Sequence, residues 1–215
     1  MTSRVSTSSK LQASGLKTIE VPGVLFWRDI KIYAGRVREF SKDDWVAYIL
    51  WVGLMVALFV TTFGFLLIGH YGGVVYPPYV WNVPFGVAIF TLSIGFDTIG
   101  HRTVYKEELK KAEALVHHVT IFAGIGSCVV LSVAYTYPQF LAIPALVLVF
   151  LSILYSIIDE AMHWIRYAQQ KSDRVEMWSH FGIFLGHLIF ICSWSWWFLQ
   201  GYPGVTETLK VIVGR

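Results

Sequence analysis

Five apolar runs, at residues 45–68, 79–96, 114–135, 140–158 and 177–199, constrain this chain more than any other feature. Each is close to the ~20 residues a helix needs to cross ~30 Å of hydrocarbon. Composition agrees. Of 215 residues, 55% are hydrophobic, 16% aromatic and only 14% charged, against about 25% charged in soluble domains. A soluble chain this short could not hide so much apolar surface in one core. The same numbers exclude disorder, and two cysteines exclude a disulfide scaffold. The fold class expected is all-α, a polytopic integral membrane protein with five transmembrane helices.

Punctuation supports the spans. Ser41-Lys42-Asp43-Asp44 has the form of a capping box before the first run, and Asp44 suits the positive end of the helix dipole. Pro77-Pro78 and Tyr137-Pro138 mark breaks before the second and fourth runs. Pro84 and Pro144 fall in first turns or just beyond, where proline is tolerated or kinks a helix mildly.

Charge sets the expected orientation. The first 45 residues and the loops after the second and fourth runs carry fifteen Lys/Arg. The opposite loops carry none, and the C-terminal tail carries Lys210 and Arg215. The positive-inside rule then predicts a cytoplasmic N-terminus, an external C-terminus and location in the cytoplasmic membrane. Aromatic belts fall at the same boundaries: Tyr71, Tyr76, Tyr79, Trp81, Trp194, Trp196 and Trp197 at one, Trp45, Trp164 and Trp178 at the other.

Residues 1–23 are expected to form a flexible, Ser/Thr-rich tail without a cleavable signal. In 24–40, Phe26, Ile30, Tyr33, Val37 and Phe40 recur at helical spacing among Arg28, Lys31, Arg36 and Arg38. That pattern predicts an amphipathic helix lying on the membrane surface or docking a partner subunit. Residues 41–200 form the membrane domain, and 201–215 a C-terminal tail.

The chemistry is concentrated in the histidines. Four of seven have an acid four residues earlier: Asp97/His101, Glu113/His117, Asp159/His163 and Glu176/His180. Fourteen acids in 215 residues predict about 0.5 such pairs. The i,i+4 spacing puts both side chains on one helix face, and each pair sits at the same end of a different run. The pairs also repeat: Asp97 to Asp159 is 62 residues, Glu113 to Glu176 is 63. Ile121-Phe122-Ala123-Gly124 resembles Ile183-Phe184-Leu185-Gly186. Two copies of one helical hairpin, about 79–135 and 140–199, are therefore expected to form a four-helix core, with a site at their interface.

Carboxylates and imidazoles converging from four helices are the ingredients of a dinuclear metal site. Imidazole suits zinc, copper and iron, and carboxylate adds harder ions such as iron or manganese. Ionisable groups near a bilayer normally mark function. The competing reading is a network of helix-end hydrogen bonds. His187, seven residues beyond His180, is a further ligand, a proton relay or a packed histidine. His118 is rotated about 100° from His117, so both cannot point equally at one metal. His70 reads as a boundary histidine at the opposite end. Haem is not expected, since only His187 lies deep in a span and it has no partner at its level. Cys128 and Cys192 read as small packing residues, and Tyr155 as a span-lining residue one turn from Asp159. There is no phosphate loop, nucleophile elbow or haem-attachment motif.

Asp97-Thr-Ile-Gly-His101 with His117 or His118, and Asp159-Glu160-Ala-Met-His163 with His180-Phe181-Gly182, distantly resemble motifs in the C subunit of copper-dependent membrane monooxygenases, the methane/ammonia monooxygenase family. The likeness extends over about residues 85–190. It implies a copper site at the first set, adds Glu160 to the candidate ligands, and implies oxidation of small substrates within the membrane. Asp159 stands where that family has Asn, the spacing between the first and second histidines is longer, and the charge pattern puts the metal loops on the other face.

The function expected is a metal-dependent membrane oxidoreductase, a monooxygenase or its metal-bearing subunit. It would hold two transition-metal ions, copper or iron before zinc or manganese. The expected partners are lipid, other subunits or further copies of the chain, and a small or hydrophobic substrate; no nucleic-acid partner is expected. The alternatives are a divalent-metal transporter or sensor, and a structural subunit with a metal-pinned interface.

Overall fold

The computed structural model describes the backbone of residues 22–104, 111–170 and 174–214, and side chains within 26–104, 115–169 and 174–214. It is all-helical among the described residues. Five helices are long and apolar enough to cross a membrane: α2 (Lys42–Tyr71), α3 (Asn82–Thr103), α4 (Lys111–Ala134), α5 (Pro138–Gln170) and α6 (Arg174–Leu199). Shorter helices flank them, α1 (Pro22–Gly35) and α7 (Val205–Val213). The chain is an integral membrane protein of the class its composition predicted.

The capping box forms as read. Ser41 Oγ accepts from the Asp44 backbone N–H at 3.2 Å, and the Asp44 carboxylate accepts from the Ser41 N–H at 3.1 Å. Asp44 also pairs with Arg102 at 3.8 Å, tying the start of α2 to the end of α3. At 33 residues, α5 is about 50 Å long, more than the ~30 Å of hydrocarbon requires. Its C-terminal turns therefore carry Asp159, His163 and Arg166 towards the charged end of the bundle.

The contacts obey the sequence repeat. α3 packs most extensively on α6, and α4 on α5. Exchanging the repeats maps α3 onto α5 and α6 onto α4, so these two contacts are equivalents. The remaining pairs are not: α5 meets α6 along a seam, whereas α3 and α4 make no comparable contact among the described residues. At the α3–α6 crossing, a Cβ on Gly86 would lie 2.6 Å from the Phe190 nitrogen, and one on Gly186 equally close to the Phe90 nitrogen. Small residues at such a crossing let the backbones approach closely.

The stripe predicted in 24–40 is present. Tyr33 is buried against Ile99 and Val175, with Ile30, Val37 and Phe40 beside it, while Trp27 and Ile32 are exposed. The surface helix thus closes over the ends of α3 and α6. The helix proper ends at Gly35, and Arg36–Glu39 continue as a 3₁₀ turn. The predicted tail at 1–23 lies outside the described residues up to residue 21. Residues 201–215, read as a tail, contain α7, which folds back onto α2. Left-handed Gly201, Tyr202 and Gly204 make the reversal, Tyr202 donates to the Leu131 carbonyl, and Tyr76 bonds Thr208. Burial raises both phenols above their ordinary range.

Candidate metal centre

The four helix ends at the charged end of the bundle bring six of the eight predicted side chains together. Asp97 and His101 come from α3, His117 from α4, Asp159 and His163 from α5, and His180 from α6. Helical spacing does the local work: His101 Nε2 lies 3.4 Å from Asp97 Oδ2, and His163 Nε2 lies 3.9 Å from Asp159 Oδ1. The crossings join the halves. His180 Nε2 is 3.4 Å from Asp97 Oδ1, and His117 Nδ1 is 3.6 Å from Asp159 Oδ2. Those contacts are repeat equivalents, since His117 and His180 are 63 residues apart. The centre therefore has two acid–histidine–histidine halves, Asp97/His101/His180 and Asp159/His163/His117.

The halves are not identical. His180 leans across the axis, and its ring lies face to face with His163, centroids 3.2 Å apart. Two groups have ligand atoms within 4.8 Å of one another and suit a metal ion: Asp97/His101/His180 and Asp159/His163/His180. His117 stands at the rim, with its ring 5.6 Å from that of His101.

Burial makes the charges costly. Asp97, Asp159 and Glu160 are all less than 9% exposed, and none has a Lys or Arg partner among the described residues. One oxygen on each, together with His180 Nε2, is buried with no hydrogen bond among the described residues. A buried ionised carboxylate costs several kcal/mol unless paired (about that much per ion), and unsatisfied buried polar atoms are rare. A cation in either ligand group would take up the unpaired oxygen of Asp97 or of Asp159 beside His180, which is the fit expected of a metal site.

Glu160 stands beside the centre. Its Oε1 accepts from Trp164 Nε1 at 2.7 Å, and its Oε2 is 4.0 Å from His180 Nδ1. Glu176 is placed differently: its Oε1 takes the Arg166 guanidinium at 2.6 Å. The side chain of Glu113 lies outside the described residues. Of the adjacent pair on α4, His117 faces the centre and His118 is exposed. His70 is exposed at the far end, its ring against Trp81.

Arg166 was not among the residues singled out from sequence. Besides Glu176 it donates to His163 Nδ1 at 2.8 Å. Arginine only donates, so Nδ1 accepts and the neutral ring carries its proton on Nε2, facing Asp159. A metal taking Nε2 would release that proton. Arg166 lies three residues beyond His163, on the same face, which was a usable signal. Its repeat equivalent, Val104, is apolar, so the repeat did not point to it.

A cavity of about 370 Å³ opens where α3 and α4 stand apart. Asp97, His117, Asp159 and His180 line one end, and Trp194 and Ser132 the other. Between them the walls are mainly apolar, with Leu54, Leu58, Phe90, Ile121 and Ile183. Comparison of the chain with protein-family models, with curated proteins and with solved structures finds no match.

Proposed function

We infer that this chain is a metal-dependent membrane oxidoreductase of monooxygenase type, or the metal-bearing subunit of one. One observation carries the reading: two repeat-related acid–histidine–histidine halves meet at one end of a mainly apolar cavity. The donor set, imidazole and carboxylate without cysteine, favours copper or iron. Two metal ions held there would supply the electron transfer and oxygen activation. Asp97, His101, His117, Asp159, His163 and His180 would hold the ions. Glu160, next to His180, is placed to keep a proton near the centre. The apolar walls exclude water and hold a hydrophobic substrate. A transported ion would instead need polar or broken helices beyond the cluster, and the cavity walls there are mainly apolar. The resemblance to copper-dependent membrane monooxygenases supports the same reading.

Protein purified without chelators or a histidine tag is expected to carry one to two equivalents of copper or iron by mass-spectrometric metal analysis. A folded preparation reproducibly empty of copper, iron, zinc and manganese would overturn the reading.

The charge pattern further supports a cytoplasmic N-terminus and a metal centre on the cytoplasmic side. A reporter fused after Arg215 is expected to behave as external. Reporter activity in the cytoplasm would reverse the orientation and move the centre to the other face.

A further inference from the structure

The cavity is open along one side. Leu54, Ala57 and Thr61 on α2 and Ile125, Val129 and Ser132 on α4 all line it, and all are exposed. α2 and α4 make no extended contact with each other among the described residues, so the opening runs between them. Ile94 on α3 and Phe190 on α6 are buried at its back. Both helices that frame the opening are long and apolar enough to cross a membrane, and the exposed residues lie well inside them. The opening therefore faces hydrocarbon, and what enters comes sideways from the bilayer.

Dimensions and chemistry restrict the occupant. His180 and Trp194 line the two ends, fourteen residues apart on α6, which is about 21 Å of helix. A volume of about 370 Å³ over that length leaves a mean section of about 18 Å². A helix with its side chains is about 10 Å across, roughly four times that section. A partner helix does not fit, whereas one extended chain does. Such a chain advances about 1.2 Å per bond, so the length takes about seventeen bonds. The polar groups along the way are engaged within the protein. Thr61, Thr120 and Ser132 each donate to the carbonyl four residues earlier. Ser156 bonds His187 Nδ1, and the other nitrogen of that ring is fully buried. The walls between the two ends thus ask for no polar group. With hydrocarbon outside as well as inside, selection comes from packing and shape rather than from escape from water.

We propose that the cavity binds one free, unbranched alkyl chain of about the length of hexadecane, taken from the bilayer between α2 and α4, with one end beside the acid–histidine cluster. A phospholipid tail is tied to a second tail and to a headgroup at the interface, and would have to splay to enter. That the occupant is a substrate rests on the function proposed above; that it binds does not. Gly124 supplies a way to block the cavity, because it lines the wall and a Cβ there meets nothing within 4 Å.

The test uses the full chain in lipid nanodiscs, stripped of metal with EDTA, and a hexadecane analogue carrying a photoreactive diazirine, with labelled residues mapped by mass spectrometry. Labelling of cavity residues on α2 and α4 is expected to saturate. Labelling of Phe140 and Ile143, exposed on α5 outside the cavity, should rise without saturating. Hexadecane should compete about tenfold better than pristane, a methyl-branched chain of similar length, since one extra methyl in a fitted pocket costs at least that much. Gly124→Phe should abolish the saturable labelling, while Gly53→Phe, at an exposed glycine on α2 outside the cavity, should retain it. Absence of saturation at the cavity residues, equal competition by the branched chain, or undiminished saturable labelling in Gly124→Phe would each overturn the proposal. The comparison of straight with branched chain needs only the unaltered protein, so it stands even where a variant misfolds. Because binding is read without metal, its failure is distinct from failure of the metal centre.

Discussion

His180→Ala is expected to abolish stoichiometric metal binding, a larger loss than any other single histidine gives. His180 is the one residue common to both ligand groups among the described residues. It also reaches both acid systems, with Nε2 at Asp97 and Nδ1 facing Glu160. Removing it takes a ligand from both groups at once. Loss of a residue that merely orients a ligand costs about 10–100-fold in affinity, so loss of the shared ligand should exceed that. His101→Ala and His163→Ala each remove a ligand from one half and should weaken binding less. Their double variant should be non-additive if common carboxylates couple the halves. His118→Ala and His70→Ala should leave metal content unchanged. Competitive metal titration with mass-spectrometric analysis reads all of these. Full metal retention in His180→Ala would reduce the cluster to a network of helix-end hydrogen bonds.

The candidate ligands were legible because their information is local. An acid four residues before a histidine declares a shared face whatever the tertiary structure, and the 62–63-residue repeat declares that four such faces converge. The α1 stripe was legible for the same reason, though its partner was not: Ile30, Tyr33, Val37 and Phe40 announce an apolar face, and only the packed bundle shows Ile99 and Val175 beneath it. The choice between His117 and His118 was equally non-local, since a 100° difference decides nothing until the neighbouring helices have positions. Glu176 shows the limit of the pattern. It satisfies the i,i+4 rule with His180, yet its carboxylate goes to Arg166 on another helix. The cavity was invisible for a related reason: it arises where α3 and α4 fail to meet, and no pattern within a single helix encodes a missing contact.

The repeat is also unequal at two glycines, one in a tight helix crossing and one beside the cavity. Gly124 and Gly186 occupy equivalent places in the repeated Ile-Phe-x-Gly segments. At Gly186 a Cβ would meet the Phe90 nitrogen at 2.6 Å and the Gly86 carbonyl oxygen at 2.8 Å. Both are backbone atoms and cannot swing aside. Gly186→Ala must therefore push α3 and α6 apart at their closest approach. Overpacking of this kind costs about 1–3 kcal/mol, with the upper end expected where the obstacle is backbone. Because Asp97 is on α3 and His180 on α6, separating the helices should also lengthen the Asp97–His180 contact and lower metal affinity. At Gly124 the same substitution meets open space. Gly124→Ala should be neutral or stabilising, since alanine exceeds glycine in helix propensity by up to about 1 kcal/mol. Thermal unfolding of both variants in one detergent, with metal content measured alongside, separates the two roles. A marked fall in melting temperature and metal content for Gly186→Ala, with neither for Gly124→Ala, is the expected result. Equal effects at the two positions would mean that the repeat is not broken at this level and that the cavity beside Gly124 closes in solution.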